Sequence, residues 1–530
     1  MKKLFLSVFV LCYGFVCEAQ PLYVNWTKFI GGAVGDISYT ATATVDGGIV
    51  FAGMTGDTSG LGDIPASPPD SQSILANNLL VGKLDSNRQL AWVKVYGGHR
   101  IDRALKVIQV SDGGYAVLGE TESFDGNISF NRGKTEFWLI RLDGSGNLLW
   151  EKTYGSSDSE SPLSLAATVD GGFIMLGTSQ GSDYDVPFHY GMAQFNQDWF
   201  VIKVDSLGTI QWAKTLGGNG DESFNRGSII EALDGYYLVG TSNSKDNDCT
   251  DTSWHAGVNS GYDVFMLKLD TAGNVLWNKS YGGSENEESA VGIFDPRDSS
   301  LLIAVRSISH DYMLPNSYTV PVLWTFKTDM NGNMIWGTVA GDSLLYTSPI
   351  GILPYGDSSY LLTTWRFTNY WLAIIDSIGN FDYYKKVGGA SDETSLPATV
   401  PYKGGYAVVG TTMSSSMHEG GHINSCRGAK DVFVSGLNDY FLPVGLKNNL
   451  VSQGKLEVYP NPSQGKVRIM LPVDDKGAIT ISDNAGRKIL QRKTKESELN
   501  IETSNWPKGI YLVTWEGNDG SKSSAKLINN

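Results

Sequence analysis

One motif, returning about every sixty residues, limits this chain to a tandem architecture. Trp92-Val-Lys-Val-Tyr-Gly-Gly98 recurs as Trp150-Glu-Lys-Thr-Tyr-Gly155, Trp212-Ala-Lys-Thr-Leu-Gly-Gly218 and Trp277-Asn-Lys-Ser-Tyr-Gly-Gly283. Trp26-Thr-Lys-Phe-Ile-Gly-Gly32 precedes them, and the more worn Trp336-Gly-Thr-Val-Ala-Gly341 and Tyr384-Lys-Lys-Val-Gly-Gly389 follow. From Trp26 to Trp336 the steps are 66, 58, 62, 65 and 59 residues. A fixed period of this length marks repeated supersecondary units.

Inside each unit the order of signals is constant. A strand leads into a turn such as Val45-Asp-Gly-Gly48 or Ser111-Asp-Gly-Gly114, and a second strand follows, as in Ile49–Gly53 or Tyr115–Gly119. A polar loop of variable length then leads to a third strand, such as Phe137–Leu142. The turn Asp143-Gly-Ser-Gly-Asn147 returns the chain to the Trp strand. Such Asp-Gly and Gly-Asn turns between apolar alternations are hairpin chemistry, because they need positive φ. Each unit therefore reads as a four-stranded antiparallel meander, the blade of a β-propeller. Second and third strands each occur seven times. The last third strand, Asp431–Ser435, has no Trp strand after it, whereas the chain begins with a spare one at Tyr23–Lys28. The expectation is an all-β, seven-bladed β-propeller over residues 20–443, closed by its N-terminal strand. The repeated Trp residues read as packing between blades. The pattern resembles the long-repeat propellers of secreted bacterial proteins, which share no single activity.

Lys2 and Lys3 precede an apolar run of 13 residues, Leu4 to Val16, and Cys17-Glu18-Ala19 puts small residues where a signal peptidase cuts. Residues 1–19 are read as a cleaved secretory signal. Lipidation at Cys17 is the weaker reading, since Phe15 and Val16 stand just before it. No later run reaches membrane-spanning length, so no transmembrane segment is expected. With 41 basic against 56 acidic residues the net charge is −15, which argues against nucleic acid as a partner.

After a linker at 444–454 the composition changes. Residues 455–530 hold 12 basic and 9 acidic residues, whereas the rest of the chain holds 29 and 47. Short alternating strands there predict a small Ig-like β-sandwich. Val458-Tyr-Pro-Asn-Pro462, Gly465, Asp483-Asn-Ala-Gly-Arg487, Pro507-Lys-Gly-Ile-Tyr511 and Lys526-Leu527 resemble, in order, the type A C-terminal sorting domain of the type IX secretion system. The resemblance implies that Tyr459, Pro460, Asn461, Pro462, Gly465, Asp483, Gly486, Arg487, Pro507, Gly509, Tyr511 and Lys526 carry the sorting fold. It implies the type IX machinery as a partner, and export across the outer membrane to the surface or the medium.

Chemistry is harder to place. His418-Glu-Gly-Gly-His422 matches a zinc-protease pattern. That pattern needs a helix, and two Gly in a loop oppose one. His189 and His255 occupy corresponding loops, so the His reads as repeat inheritance and no metal is assigned. Asp183, Asp185, Asp246, Asp248 and Asp251 could offer oxygens to calcium, but no full calcium-loop pattern is present. Solvated polar loops are the preferred reading, with no cofactor expected. Cys249 and Cys426 are the cysteines left after signal cleavage, and their pairing stays open. The long loops between second and third strands collect His189, Trp254, His255, His418 and His422, and form the candidate binding face. The expected function is a secreted or surface propeller that binds or adheres without catalysis, its ligand a glycan or a protein. The alternative is a glycan hydrolase with its site on the long-loop face.

Overall fold

The computed structural model describes residues 24–437 and 456–529, apart from 58, 67–76, 193–195, 223–225, 233, 251–260, 315–319, 341–345, 389–395, 414–428, 460–462, 464, 472–476, 484–486, 495–497 and 518–521. The proposed signal segment and the linker lie outside the described residues. Contacts divide the chain into two compact units, Met1–Phe441 and Leu442–Asn530.

In the first unit every described regular element is a strand, and the strands form a propeller-like series of four-stranded antiparallel sheets, seven among the described residues. The first comprises Asp36–Ala43, Ile49–Thr55, Asn78–Leu84 and Leu90–Tyr96, paired in chain order. The next five begin at Asp102, Glu160, Ser228, Glu287 and Thr347 and repeat that order. The seventh takes Ala398–Tyr402, Gly405–Thr412 and Asp431–Leu437, and its fourth strand is Val24–Ile30 from the start of the chain. Trp26 stands opposite Gly436, Lys28 opposite Val434 and Ile30 opposite Val432.

Second and third strands are apolar on both faces because both faces are covered. All seven residues of Tyr115–Thr121 and of Glu136–Leu142 are buried. Each apolar cluster joins two neighbouring sheets. Val50 and Val81 of the first sheet meet Val117 and Trp138 of the second, and the same holds around the series. Phe51 and Leu80 of the first sheet also share a cluster with Val409 and Val432 of the seventh.

This packing explains the repeated motif. The outer strand presents Trp, Lys and Tyr to the Asp-x-x-Gly-Asn turn of the next sheet. Trp92 lies so close to Gly146 that a Cβ there would come within 2.8 Å of the ring, and Gly146 also holds φ +79°, so Gly is required twice over. Lys94 Nζ donates to Asn147 Oδ1 at 3.2 Å, and the Tyr96 hydroxyl donates to the Gly146 carbonyl. Trp150, Trp212, Trp277 and Trp336 meet Gly208, Gly273, Gly332 and Gly379 in the same way. The Trp rings are interlocks between sheets.

The second unit holds a three-stranded sheet, Glu457–Tyr459, Lys466–Met470 and Glu498–Glu502. Its four-stranded sheet runs Lys488–Thr494, Gly477–Asp483, Gly509–Gly517 and Lys522–Asn529. Both contribute to one core, with Val467, Ile469 and Leu499 from the first and Ile479, Val513 and Trp515 from the second. Asn529 is buried, and its side-chain amide donates to the carbonyls of Thr503 and Trp506 at 3.1 Å each.

Candidate functional site

Three side chains converge on the backbone of each of four crossovers between sheets. In the first, Asp63, Asp36 and Asp57 accept the consecutive N–H groups of Gly31, Gly32 and Ala33 at 3.4, 2.7 and 2.5 Å. In the second, Asn127, Asp102 and Asp125 do so for Gly97, Gly98 and His99 at 3.0, 2.8 and 2.9 Å. Asp185, Glu160 and Asp183 hold Gly155, Ser156 and Ser157 at 3.2, 2.8 and 2.8 Å. Asp248, Glu222 and Asp246 hold Gly217, Gly218 and Asn219 at 3.2, 3.2 and 2.8 Å. Successive N–H groups of this kind make an anion-binding concavity, which the chain fills with its own carboxylates. The loop acids Asp183, Asp185, Asp246 and Asp248 are therefore clamps, and Asp251 lies outside the described residues. Among the described residues no group of three or more His, Cys, Asp or Glu side chains is placed to hold a metal ion.

The innermost acid of each clamp is fully buried. Burial pushes Asp36 and Asp102 up to about 6 and Glu160 up to about 7. Asp198 beside Glu222 and Asp263 beside Glu287 are carboxyl pairs across adjacent sheets, and burial and mutual repulsion raise Asp198 and Glu287. A carboxyl whose value is higher folded than unfolded keeps a proton that the unfolded chain releases. Folding is then opposed progressively as pH climbs from about 4 to about 7. Asp46 and Asp170 are lowered by their lysine and hydroxyl partners despite some burial, and Asp295 is lowered by Arg297 and Tyr360; these contributions fade below about pH 4. We expect the melting temperature at pH 5 to exceed that at pH 8 by at least about 5 °C. A flat or rising profile over that range, by calorimetry, would contradict the assignment.

At the opposite ends of the sheets the turns between first and second strands are tied to buried cations of the third strands. Lys83 pairs with Asp46 at 2.6 Å, Lys203 with Asp170 at 2.8 Å, Lys268 with Asp234 at 2.5 Å and Lys327 with Asp298 at 2.5 Å, while Arg141 pairs with Asp112. Nothing in the sequence pattern announces these pairs, since their members lie about thirty residues apart.

Of the candidate loop residues, His189 turns inward. Its side chain is 2% exposed, with Nδ1 3.6 Å from Asp198 and Nε2 3.1 Å from the Asn196 carbonyl. Trp254, His255, His418, His422 and Cys426 lie outside the described residues. Cys249 is a buried free thiol 3.5 Å from the Ser242 hydroxyl, and burial raises its pKa.

The first strands of all seven sheets line one cavity of about 410 Å³. Four of them are bulged where they line it, with register shifts between Ser38 and Thr40, Ala104 and Lys106, Pro162 and Ser164, and Pro349 and Gly351. Bulges free backbone groups and re-aim side chains. Hydroxyls of one sheet take up N–H groups of the next: Thr40 accepts from Val107 at 3.3 Å, Ser164 from Ile229 at 3.1 Å and Ser228 from Gly292 at 3.1 Å. Leu105 and Leu163 sit at bulges and line the cavity, and Lys106 and Arg226 line it too.

In the second unit Gly465 holds φ +100°, a conformation that favours glycine. Its carbonyl accepts the N–H groups of Thr503 and Ser504 at 2.8 and 3.0 Å. Asp483 accepts the Arg487 N–H at 2.9 Å and the Arg487 Nε at 2.7 Å. The Tyr511 hydroxyl donates to the Pro507 carbonyl at 2.7 Å, and its ring lies 5.0 Å from Trp506. Tyr459, Gly509 and Lys526 lie in strands, while Pro460, Asn461, Pro462 and Gly486 fall outside the described residues.

These two units define a propeller-like repeat protein with a separate C-terminal module. Residues 457–530 match the family described as "Secretion system C-terminal sorting domain", so the chain carries a type IX sorting domain at its C-terminus. It is secreted across the outer membrane, to the cell surface or the extracellular space. Among the described residues no helix is long and apolar enough to cross a membrane. The regulatory protein FlaEY of Caulobacter vibrioides is 25% identical over 202 residues, 35% of this chain and 20% of that protein. A WD repeat-containing protein of Acanthamoeba polyphaga mimivirus is 25% identical over 183 residues, 30% of this chain and 13% of that one. The matched stretches thus span a fifth or less of these curated relatives. Similar solved structures include a puromycin hydrolase, at 8% identity over 94% of this chain and 60% of that one, with TM-score 0.44. A fungal alcohol oxidase of the AA5 family in complex with copper shows 9% identity over 96% of this chain and 99% of that one, with TM-score 0.43.

Proposed function

We propose that residues 20–443 form a closed seven-bladed β-propeller that works outside the cell as a non-catalytic binding or adhesion module, its ligand entering the axial cavity. Residues 1–19 are its secretory signal, and the linker 444–454 joins it to an Ig-like sandwich, 455–530, read by the type IX machinery. The observation that carries the reading is the cavity itself. Its volume suits a small ligand or the end of a larger one. Among the described lining residues there is no carboxylate, histidine or cysteine, whereas glycan hydrolysis needs two carboxyl groups facing the substrate. The strongly shifted carboxyls lie instead between sheets, tied to crossover backbone.

The test is a glycan and protein binding screen on the full-length secreted protein and on Leu105→Trp, which fills cavity volume without touching a crossover clamp. The parent should bind a ligand that Leu105→Trp loses by at least about tenfold, and the bound ligand should be recovered unchanged. Recovery of cleaved glycan would establish the hydrolase reading, and equal binding by both proteins would move the site elsewhere.

A further inference from the structure

The cavity holds an electrostatic anomaly. Lys106, on the bulged first strand of the second sheet, and Arg226, leading into the first strand of the fourth, both line it. Among the described residues neither has a hydrogen-bond or ion-pair partner. Five buried cations of this unit each meet a turn carboxylate, as described above. The chain thus neutralises its buried cations as a rule, and leaves two half-buried ones unpaired where seven strands line one space.

Leaving them there is unfavourable. Charges partly withdrawn from water lose some solvation, and two of the same sign facing one space repel. The Lys106 ammonium is lowered by burial and by the Arg226 charge, and burial brings Arg226 down to about 10. An unpaired cation pair kept at such a cost is a site waiting for opposite charge. The remaining lining suits a small guest: threonine and serine hydroxyls beside Leu105, Leu163 and Ile350. In a chain of net charge −15, this is a focus of positive potential within a generally negative field.

We propose that the axial cavity is a binding site for a small ligand bearing an oxyanion (carboxylate, sulfate or phosphate), with Lys106 and Arg226 as its charge-pairing groups. The guanidinium offers a planar fork to two oxygens, and the ammonium a point charge beside it. The proposal rests on the reading of the cavity as the ligand site and adds the chemistry of what enters it.

Calorimetric titration and thermal denaturation of the full-length protein would test it, with sulfate, phosphate and galacturonate as probes and galactose as the neutral control. The parent should bind at least one oxyanion and be stabilised by it relative to chloride at equal ionic strength. Lys106→Met and Arg226→Met should each weaken that binding at least about tenfold, the size expected for one charge-assisted contact. Both variants should melt higher than the parent in anion-poor buffer, because each removes like-charge repulsion. A merely structural cation would give the opposite shift. The three oxyanions separate the possible headgroups from one another. Binding of all probes unchanged in both variants, binding of none by the parent, or lower melting of both variants would overturn the proposal. If Leu105→Trp keeps the oxyanion binding, the cavity reading itself fails. If only galactose binds, and Leu105→Trp loses it, the cavity stands and the oxyanion assignment falls.

Discussion

Deleting residues 20–30 is expected to remove most of the cooperative stability of the first unit. The segment supplies Val24–Ile30, the outer strand of the seventh sheet, and no other segment of the described chain occupies that edge. Phe29 is 8% exposed and Ile30 fully buried, and the Trp26 ring lies 5.7 Å from Tyr402. Two buried side chains contribute roughly 1.5–3 kcal/mol each, and Trp26 and the lost ladder add to that. The total of about 5 kcal/mol is a large share of the 5–15 kcal/mol typical of a folded domain. It also bares the edge of Asp431–Leu437, whose residues are all buried, as a template for aggregation. The melting temperature should fall by more than about 10 °C. Proteolytic cutting within 444–454 should leave it in place. If the deleted, cut and intact proteins melt together, the first strand is dispensable and closure has been misread.

The second large effect concerns export. Without residues 455–530 the first unit should fold yet accumulate in the periplasm of its native host. Residues 455–530, attached behind a signal peptide and an unrelated reporter, should carry that reporter outside. Fractionation with immunoblotting reads both arms. Normal appearance of the shortened protein in the medium would show that its exit depends on something other than the sorting domain.

Much of the architecture is legible in the sequence because its devices are local. The Asp-Gly-Gly turn, the Asp-x-x-Gly-Asn turn and the Trp-x-Lys-x-Tyr strand each fit within seven residues, and each specifies a hairpin or an interlock almost alone. The site is not local. Asp183 and Asp185 invite a calcium or solvent reading because their partners are backbone N–H groups some 26 to 30 residues earlier, and a backbone donor leaves no mark in a sequence. Lys203 and Asp170 are equally silent until the strands pair. Lys106 looks like an ordinary polar position in a strand, and Arg226 like one in the loop before a strand. A bulge that no residue type announces sets Lys106 against the cavity, and Arg226 reaches it from the segment leading into Ser228–Ala232. His189, conspicuous as a loop histidine, proves to be an internal support.

The pairing of Val24–Ile30 with Asp431–Leu437 also imposes an order in time. Thr27 and Ser435 meet across 408 positions, one of the most distant encounters the unit makes, and loops of that length close late. A ribosome must pass Leu437 before the first strand has anything to pair with, and the export address lies just beyond. Any product cut short before that point therefore lacks both its last edge partner and its ticket out. Closing of the last sheet edge and permission to leave the cell thus both wait on chain made after Asp431.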